Sequence, residues 1–253
     1  MLPEHTSDYL LDKKVKIFQP VNGYRASTDA VLLAAFVSVS KYGKILDVGS
    51  GTGAVSLCLA ERLKQQKPLI TGLEIQPELA NLSNFSAQSN NYTNLHFQNA
   101  DIRLGAKNNG LLPCSFDAVV TNPPYSEHDL PSPNKSKATA HNHTNFDLQH
   151  WLEFCLKMAK PFGKIYMINR AEALPQICSI LYGKAGNMTI LPIYSKKMQT
   201  AKRIIISAQK DSKTPSRILP PFYTHLASGE YSDEAQKILR LGLGFEETFS
   251  YLI

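Results

Sequence analysis

Cysteine is scarce in this chain. Cys58, Cys114, Cys155 and Cys178 are its four, widely separated, with no CxxC pair and no Cys/His spacing that suits zinc. That excludes a disulfide scaffold and a zinc ribbon, and buried thiols in a reducing compartment are expected instead. No stretch approaches the ~20 apolar residues of a membrane helix. The opening MLPEHTSDYLLDKK carries acids and no apolar run before a small-residue cleavage site, so no secretory signal is expected. Internal repeats and low-complexity tracts are also lacking. A soluble cytoplasmic protein without a structural metal is the expectation.

What is present is an ordinary globular composition, 253 residues with 43% hydrophobic and 19% charged, enough to bury a sizeable core. The net charge is +6. Lys196, Lys197, Lys202, Arg203, Lys210, Lys213 and Arg217 crowd one stretch opposed only by Asp211, and Lys13, Lys14, Lys16 and Arg25 form a second cluster. Either cluster suits a phosphate-bearing partner, and either also suits a merely solvated face.

Residues 9 to 18 read as a short hairpin turning at Asp12-Lys13-Lys14, and Ser27 or Thr28 caps a helix over DAVLLAAFVSV. From Lys44 strands and helices alternate. KILDV, LITGLEI, NLHFQ, FDAVVT and GKIYMIN read as strands. GAVSLCLAERLK reads as an amphipathic helix with Val55, Leu59 and Leu63 on one side. Pro77 starts a helix through about Gln88, LQHWLEFCLKMAK is helical to the break at Pro161, and Pro175 bends or shortens a helix in EALPQICSILYGK. The last strands, MTILPIY and RIIISAQ, are joined by too short a link for a parallel crossover, so they run antiparallel. The chain reads as one α/β domain, with an N-terminal extension over 1–40, a core over 41–210 and a C-terminal segment over 211–253. Residues 126–146 lack any apolar period, and so long a loop points to function or disorder.

Asp47-Val48-Gly49-Ser50-Gly51-Thr52-Gly53 sits between the first core strand and its helix, where glycines allow a tight turn and close approach to a ligand. The spacing is GxGxG, without the third glycine of GxGxxG. Glu74, at a strand end 21 residues beyond Gly53, can accept both hydroxyls of a ribose. Asp101 can accept an adenine amine or simply cap a turn. Asp47 can hold the loop or meet a ligand ammonium through water.

LDVGSGTG, GLEI and NADI, in that order, resemble the class I S-adenosylmethionine-dependent methyltransferases over about residues 27–210. The resemblance implies a Rossmann-like, seven-stranded, mostly parallel sheet with the last strand antiparallel. It also implies S-adenosyl-L-methionine as cofactor, with Ile75 and Ile102 beside the acids among its contacts. The sequence FDAVVTNPPY then has a chemical reading. An exocyclic amine is a poor nucleophile because its lone pair is delocalised into the ring. Acceptors from the Asn122 side chain and the Pro123 carbonyl can draw that nitrogen toward tetrahedral geometry. Pro123 and Pro124 narrow the backbone ensemble, and Tyr125 offers a stacking face for a base.

NPPY serves adenine, cytosine and guanine amines and a protein glutamine amide. VNGYRASTDAVLLAAF and EYSDEAQKILRLG resemble the tRNA(Val) adenine-N6-methyltransferase family, which modifies the adenine beside the anticodon. That match implies Ser27, Thr28 and Asp29 near the methionine part of the cofactor, and tRNA as partner. Lys135, Lys137, Lys196, Lys197, Lys202 and Arg203 are the candidates for phosphate contact. Ser126 departs from the family, where an aromatic commonly follows NPPY. A release-factor glutamine methyltransferase would carry a helical N-terminal domain for which about forty residues leave little room. A DNA adenine methyltransferase would need a target-recognition domain, and a nicotinamide oxidoreductase has no role for NPPY. A non-catalytic RNA-binding module on a decayed fold conflicts with the intact glycines, Glu74 and Asn122.

Overall fold

The computed structural model describes residues 2–23, 25–124 and 147–249. The hairpin forms from β1 (His5–Leu10) and β2 (Val15–Pro20), antiparallel, with both strands longer than the expected 9–18. Its turn puts Leu11, Asp12 and Lys13 in the left-handed region. Helix α1 (Thr28–Phe36) follows with Ser27 at its N-cap.

The core alternates as expected: β3 (Lys44–Val48), α2 (Ala54–Arg62), β4 (Leu69–Glu74), α3 (Pro77–Ser89), β5 (Leu95–Asn99), a short α4 (Gly105–Asn108), β6 (Phe116–Thr121) and α5 (Leu148–Met158). Then come β7 (Ala159–Arg170), α6 (Leu174–Leu181), β8 (Ala185–Tyr194) and β9 (Arg203–Lys210). The strand order is β8-β9-β7-β6-β3-β4-β5, parallel except for β9, which runs antiparallel to both neighbours. Neighbouring residues along each strand point to opposite faces, and both faces are covered. Ile45, Ile70, Ala118, Val120 and Ile205 meet α1, α2 and the hairpin, while Leu46, Leu73, Val119, Ile165 and Ile206 meet α5 and α6.

Three expectations need correction and a fourth is met. Among the described residues the sheet has nine strands rather than seven: the seven expected strands are present, and the C-terminal segment adds β10 (Arg217–Ile218) and β11 (Phe222–Tyr223) parallel to β8. Pro220 and Pro221 lack the N–H that a continuous edge strand would need, so the addition falls into two pieces. Helix α2 is not amphipathic: Ala54 through Ala60 are all buried, because α1 and the sheet enclose it. Helix α5 stops at Met158, since Ala159 pairs with Phe116 and opens β7 through an irregularity before Lys164. Pro175 shortens its helix as expected: α6 covers only Leu174–Leu181, with the proline in its first turn, where no helix hydrogen bond is lost.

The rest of the C-terminal segment returns to the hairpin. Short helices α7 (Asp233–Gln236) and α8 (Phe245–Thr248) flank a π-helical turn over Lys237–Leu241. The Phe245 ring meets Phe36 of α1 edge-on at 5.7 Å, Lys14 donates to the Leu241 carbonyl at 2.7 Å, and Gly242 lies against Leu11. Arg62 donates to the Ala34 and Val37 carbonyls and closes the end of α1.

Candidate functional site

The carboxyl ends of β3, β4, β5, β6, β7 and β8, with the start of β9, lie along one rim of the sheet. The glycine loop leaves β3 there. Gly49 and Ser50 both donate to the Leu73 carbonyl, at 2.9 and 2.8 Å, which binds the loop to β4. Gly51 donates to Glu74 Oε2 at 2.8 Å, and Gln76 donates to Glu74 Oε1 at 2.9 Å. Gly53 is left-handed and serves as the N-cap of α2.

Glycine is demanded at Gly49 and Gly53, though the close neighbour there is protein. A Cβ on Gly49 would stand 2.7 Å from Cζ2 of Trp151, and one on Gly53 would stand 2.6 Å from Cζ of Phe97. Both residues also have positive φ, at 74° and 80°.

Charge is concentrated beneath this loop. Asp47 is 1% exposed and accepts from the Ser56 hydroxyl at 2.7 Å. Burial raises its carboxyl to about 7, with the charge of Glu74 adding to the rise and Ser56 opposing it. Glu74, 6% exposed, is also raised by burial, against three backbone hydrogen bonds that favour its ionised form. The Ser50 and Thr52 hydroxyls are buried without a hydrogen-bond partner among the described residues. Such groups cost about 1–3 kcal/mol each when left unpaired, which fits a loop shaped around a polar ligand. Ile75, 45% exposed, and half-buried Ile102 supply apolar surface at the ends of β4 and β5. Hydroxyls, a carboxylate and aliphatic flanks together fit a nucleoside that carries an amino-acid tail.

Asp101 takes the turn-cap position. Its carboxylate accepts from the Arg103 backbone at 3.0 Å and from the Arg103 guanidinium at 2.6 to 3.0 Å. Asp29 accepts from Arg203 Nε at 2.9 Å, which ties the start of α1 to the start of β9, with exposed Thr28 beside it. Arg203, read from sequence as a phosphate contact, therefore spends part of its charge inside the protein. Lys196, Lys197 and Lys202 lie in the 195–202 connection on the same rim, and Lys196 donates to the Ala227 carbonyl at 3.2 Å. The structure thus brings one lysine cluster to the site rim and leaves Lys13, Lys14 and Lys16 on the hairpin.

Register places the asparagine. Strand β6 pairs with β3 through Val48↔Thr121, so Asn122 leaves β6 beside Gly49. Asn122 is half-buried, Pro123 buried and Pro124 exposed. Tyr125, Lys135, Lys137 and the remainder of 126–146 lie outside the described residues.

Sequence reasoning missed Ser56, Arg103, Thr121 and Trp151. A single tryptophan just after the NPPY loop was the available signal for the last. Among the described residues no group of three or more His, Cys, Asp or Glu could hold a metal, and no helix is long and apolar enough to cross a membrane.

A protein family described as a methyltransferase domain matches residues 40–218. The chain is 26% identical over 237 residues to the tRNA1(Val) (adenine(37)-N6)-methyltransferase of Bacteroides fragilis, covering 90% of this chain and 94% of that protein. The Glaesserella parasuis enzyme of the same name is 32% identical over 152 residues, 59% of this chain and 60% of that protein. Among solved structures, a predicted O-methyltransferase from Agrobacterium tumefaciens superposes at a TM-score of 0.72 with 22% identity, covering 86% of this chain and 98% of the other. M. jannaschii TYW2 in complex with AdoMet superposes at 0.57 with 15% identity, covering 83% and 87%. These two likenesses concern the fold.

Proposed function

The chain belongs to the methyltransferase-domain family, and we propose that it methylates the exocyclic N6 amine of an adenine in tRNA, at the base beside the anticodon. It is an enzyme, and S-adenosyl-L-methionine is its methyl donor. The observation that most supports this reading is the register Val48↔Thr121, from which Asn122 leaves its strand beside Gly49 of the glycine loop. Similarity over 90% of the chain to the Bacteroides fragilis tRNA enzyme supports the choice of nucleic acid.

In this reading Gly49, Gly51 and Gly53 shape the donor's cradle, Glu74 takes the ribose, and Ile75 and Ile102 flank the adenine. Asp101 borders that ring, while Asp47, Thr28 and Asp29 lie toward the amino-acid tail. When bound, the donor supplies a methyl group on a sulfonium. The protein's own task is to orient the incoming amine. The Asn122 amide oxygen and the Pro123 carbonyl accept its two N–H groups and turn its lone pair forward. Tyr125 stacks on the base, which must leave any stack in its loop to reach the rim. Lys196, Lys197 and Lys202, with Arg203, Lys135 and Lys137, hold phosphates.

The deciding experiment incubates the protein with radiolabelled S-adenosyl-L-methionine and total tRNA, then digests the RNA and identifies the labelled nucleoside by mass. N6-methyladenosine from one tRNA is expected. Label in guanosine or cytidine, or no label in tRNA, would overturn the substrate assignment.

A further inference from the structure

Trp151 is the only tryptophan of the chain, in the first turn of α5. That turn is anchored by Asp147, whose carboxylate accepts from the His150 backbone at 3.0 Å. The indole reaches from α5 over the ends of two adjacent strands. Its Nε1 donates to the Thr121 hydroxyl at 2.7 Å, and Thr121 Oγ1 in turn donates to the Val48 carbonyl at 2.8 Å. Its six-membered ring packs so closely on Gly49 that a Cβ there would lie 2.7 and 2.8 Å from two ring carbons.

The polarity of this chain of bonds is fixed. An indole nitrogen can only donate, and the Thr121 proton is committed to Val48, so neither bond can reverse. Thr121 is fully buried, which makes either group costly to leave unpaired. Thr121 immediately precedes Asn122, and Val48 immediately precedes Gly49. One side chain from a third element therefore fastens both segments whose separation must suit the transfer.

Resting on the reading of the rim as a methyl-transfer site, we propose that Trp151 is a positioning residue that holds the glycine loop and Asn122-Pro123-Pro124 in one frame. It touches no reacting atom. Through Thr121 it sets the height of the amine acceptors, and through Gly49 it senses the loop that cradles the donor. Methyl transfer depends steeply on such alignment: a misplacement of about 1 Å costs about 100-fold.

The test uses the full chain. Thr121→Val keeps the shape and strand preference of residue 121 but strips the hydroxyl, Thr121→Ser restores it, and Trp151→Phe removes the indole donor. Circular dichroism and thermal melts select variants that fold. Turnover on tRNA should fall about 10-fold to 100-fold in Thr121→Val and Trp151→Phe, with the KM for tRNA within about threefold. Thr121→Ser should recover turnover to within about threefold. A residue that merely supported the fold would not produce this split or this rescue.

Because there is one tryptophan, wild-type emission should also change saturably as S-adenosyl-L-methionine is added, at the Kd that calorimetry gives. Donor binding by calorimetry with a silent indole, or unchanged turnover in Thr121→Val, would overturn the inference alone. A wild type that binds donor with an indole response but methylates no tRNA would sink the substrate reading and still support the coupling of indole to loop. No donor binding by either method would overturn both.

Discussion

Asp47→Asn should stabilise the ligand-free protein, and more so as pH rises. Asp47 lies beneath the glycine loop, accepting from the hydroxyl and the backbone of Ser56, with the Glu74 charge near it. Burial lifts its carboxyl from the ordinary 3.8 to about 7. The native state therefore holds this proton more tightly than the unfolded chain. The resulting stability is fully present below pH 3.8 and is lost as pH rises through about 7. At about 1.4 kcal/mol per pH unit the whole loss is about 4 kcal/mol, of which about 3 kcal/mol falls between pH 5 and pH 8. Asparagine keeps the acceptor for Ser56 and cannot ionise, so its advantage over the wild type should grow by that amount. Urea denaturation of both proteins at pH 5 and pH 8 measures the difference. Asp8 and Asp117, whose carboxyls are held low despite partial burial, act in the opposite sense but are common to both proteins and cancel. Parallel stability profiles would refute the reasoning. The same charge should favour a cationic donor, so wild-type affinity should rise with pH up to about 7 and the Asp47→Asn profile should be flatter.

Asn122→Ala should lower turnover by about 100-fold to 1,000-fold while donor affinity stays within about threefold, measured by single-turnover kinetics and calorimetry. A wild-type rate in the folded variant would reduce Asn122 to a turn residue. Glu74→Ala frees the Gly51 and Gln76 amides and removes the ribose acceptor. A loss of about 1.5–3 kcal/mol in donor binding is expected, read by titration. Unchanged affinity would move the ribose elsewhere. Reversing Lys196 and Lys197 to Glu should weaken tRNA binding and flatten its dependence on salt, and full activity would return both lysines to a solvated face.

Much of the fold was legible because hydrophobic period and punctuation agree. Lys44–Val48, Pro77–Ser89 and Phe116–Thr121 appear within a residue or so of their expected limits: Gly43 and Gly49 flank the first, Pro77 opens the second, and Pro123 follows closely on the third. The antiparallel β8–β9 pair followed from the shortness of its connection. Failures came where tertiary packing overrides local pattern. Helix α2 is enclosed on all sides, so its pattern carried no face to read. Strands β10 and β11 exist only because β8 offers an open edge, and two residues show no period. At the site, sequence located Asp47, Glu74 and Asn122 but not their partners. Ser56 lies a full helix turn beyond its loop, and Arg103 binds Asp101 by local geometry. Trp151 reaches Thr121 across 30 positions, and no spacing rule predicts such a contact.

The meeting of the hairpin turn with the Leu241–Phe245 region has a consequence for biosynthesis. Lys14 and Leu241 are 227 positions apart, so the ribosome makes the hairpin near the beginning and its neighbour near the end. Until Phe245 emerges, Phe36 and the adjoining surface of α1 lack that cover. Such long-range closure slows folding, and a nascent chain in that interval carries exposed apolar surface that invites misassembly. A premature stop ahead of Phe245 should therefore harm the yield of soluble protein even though the glycine loop, Glu74 and Asn122 are already encoded.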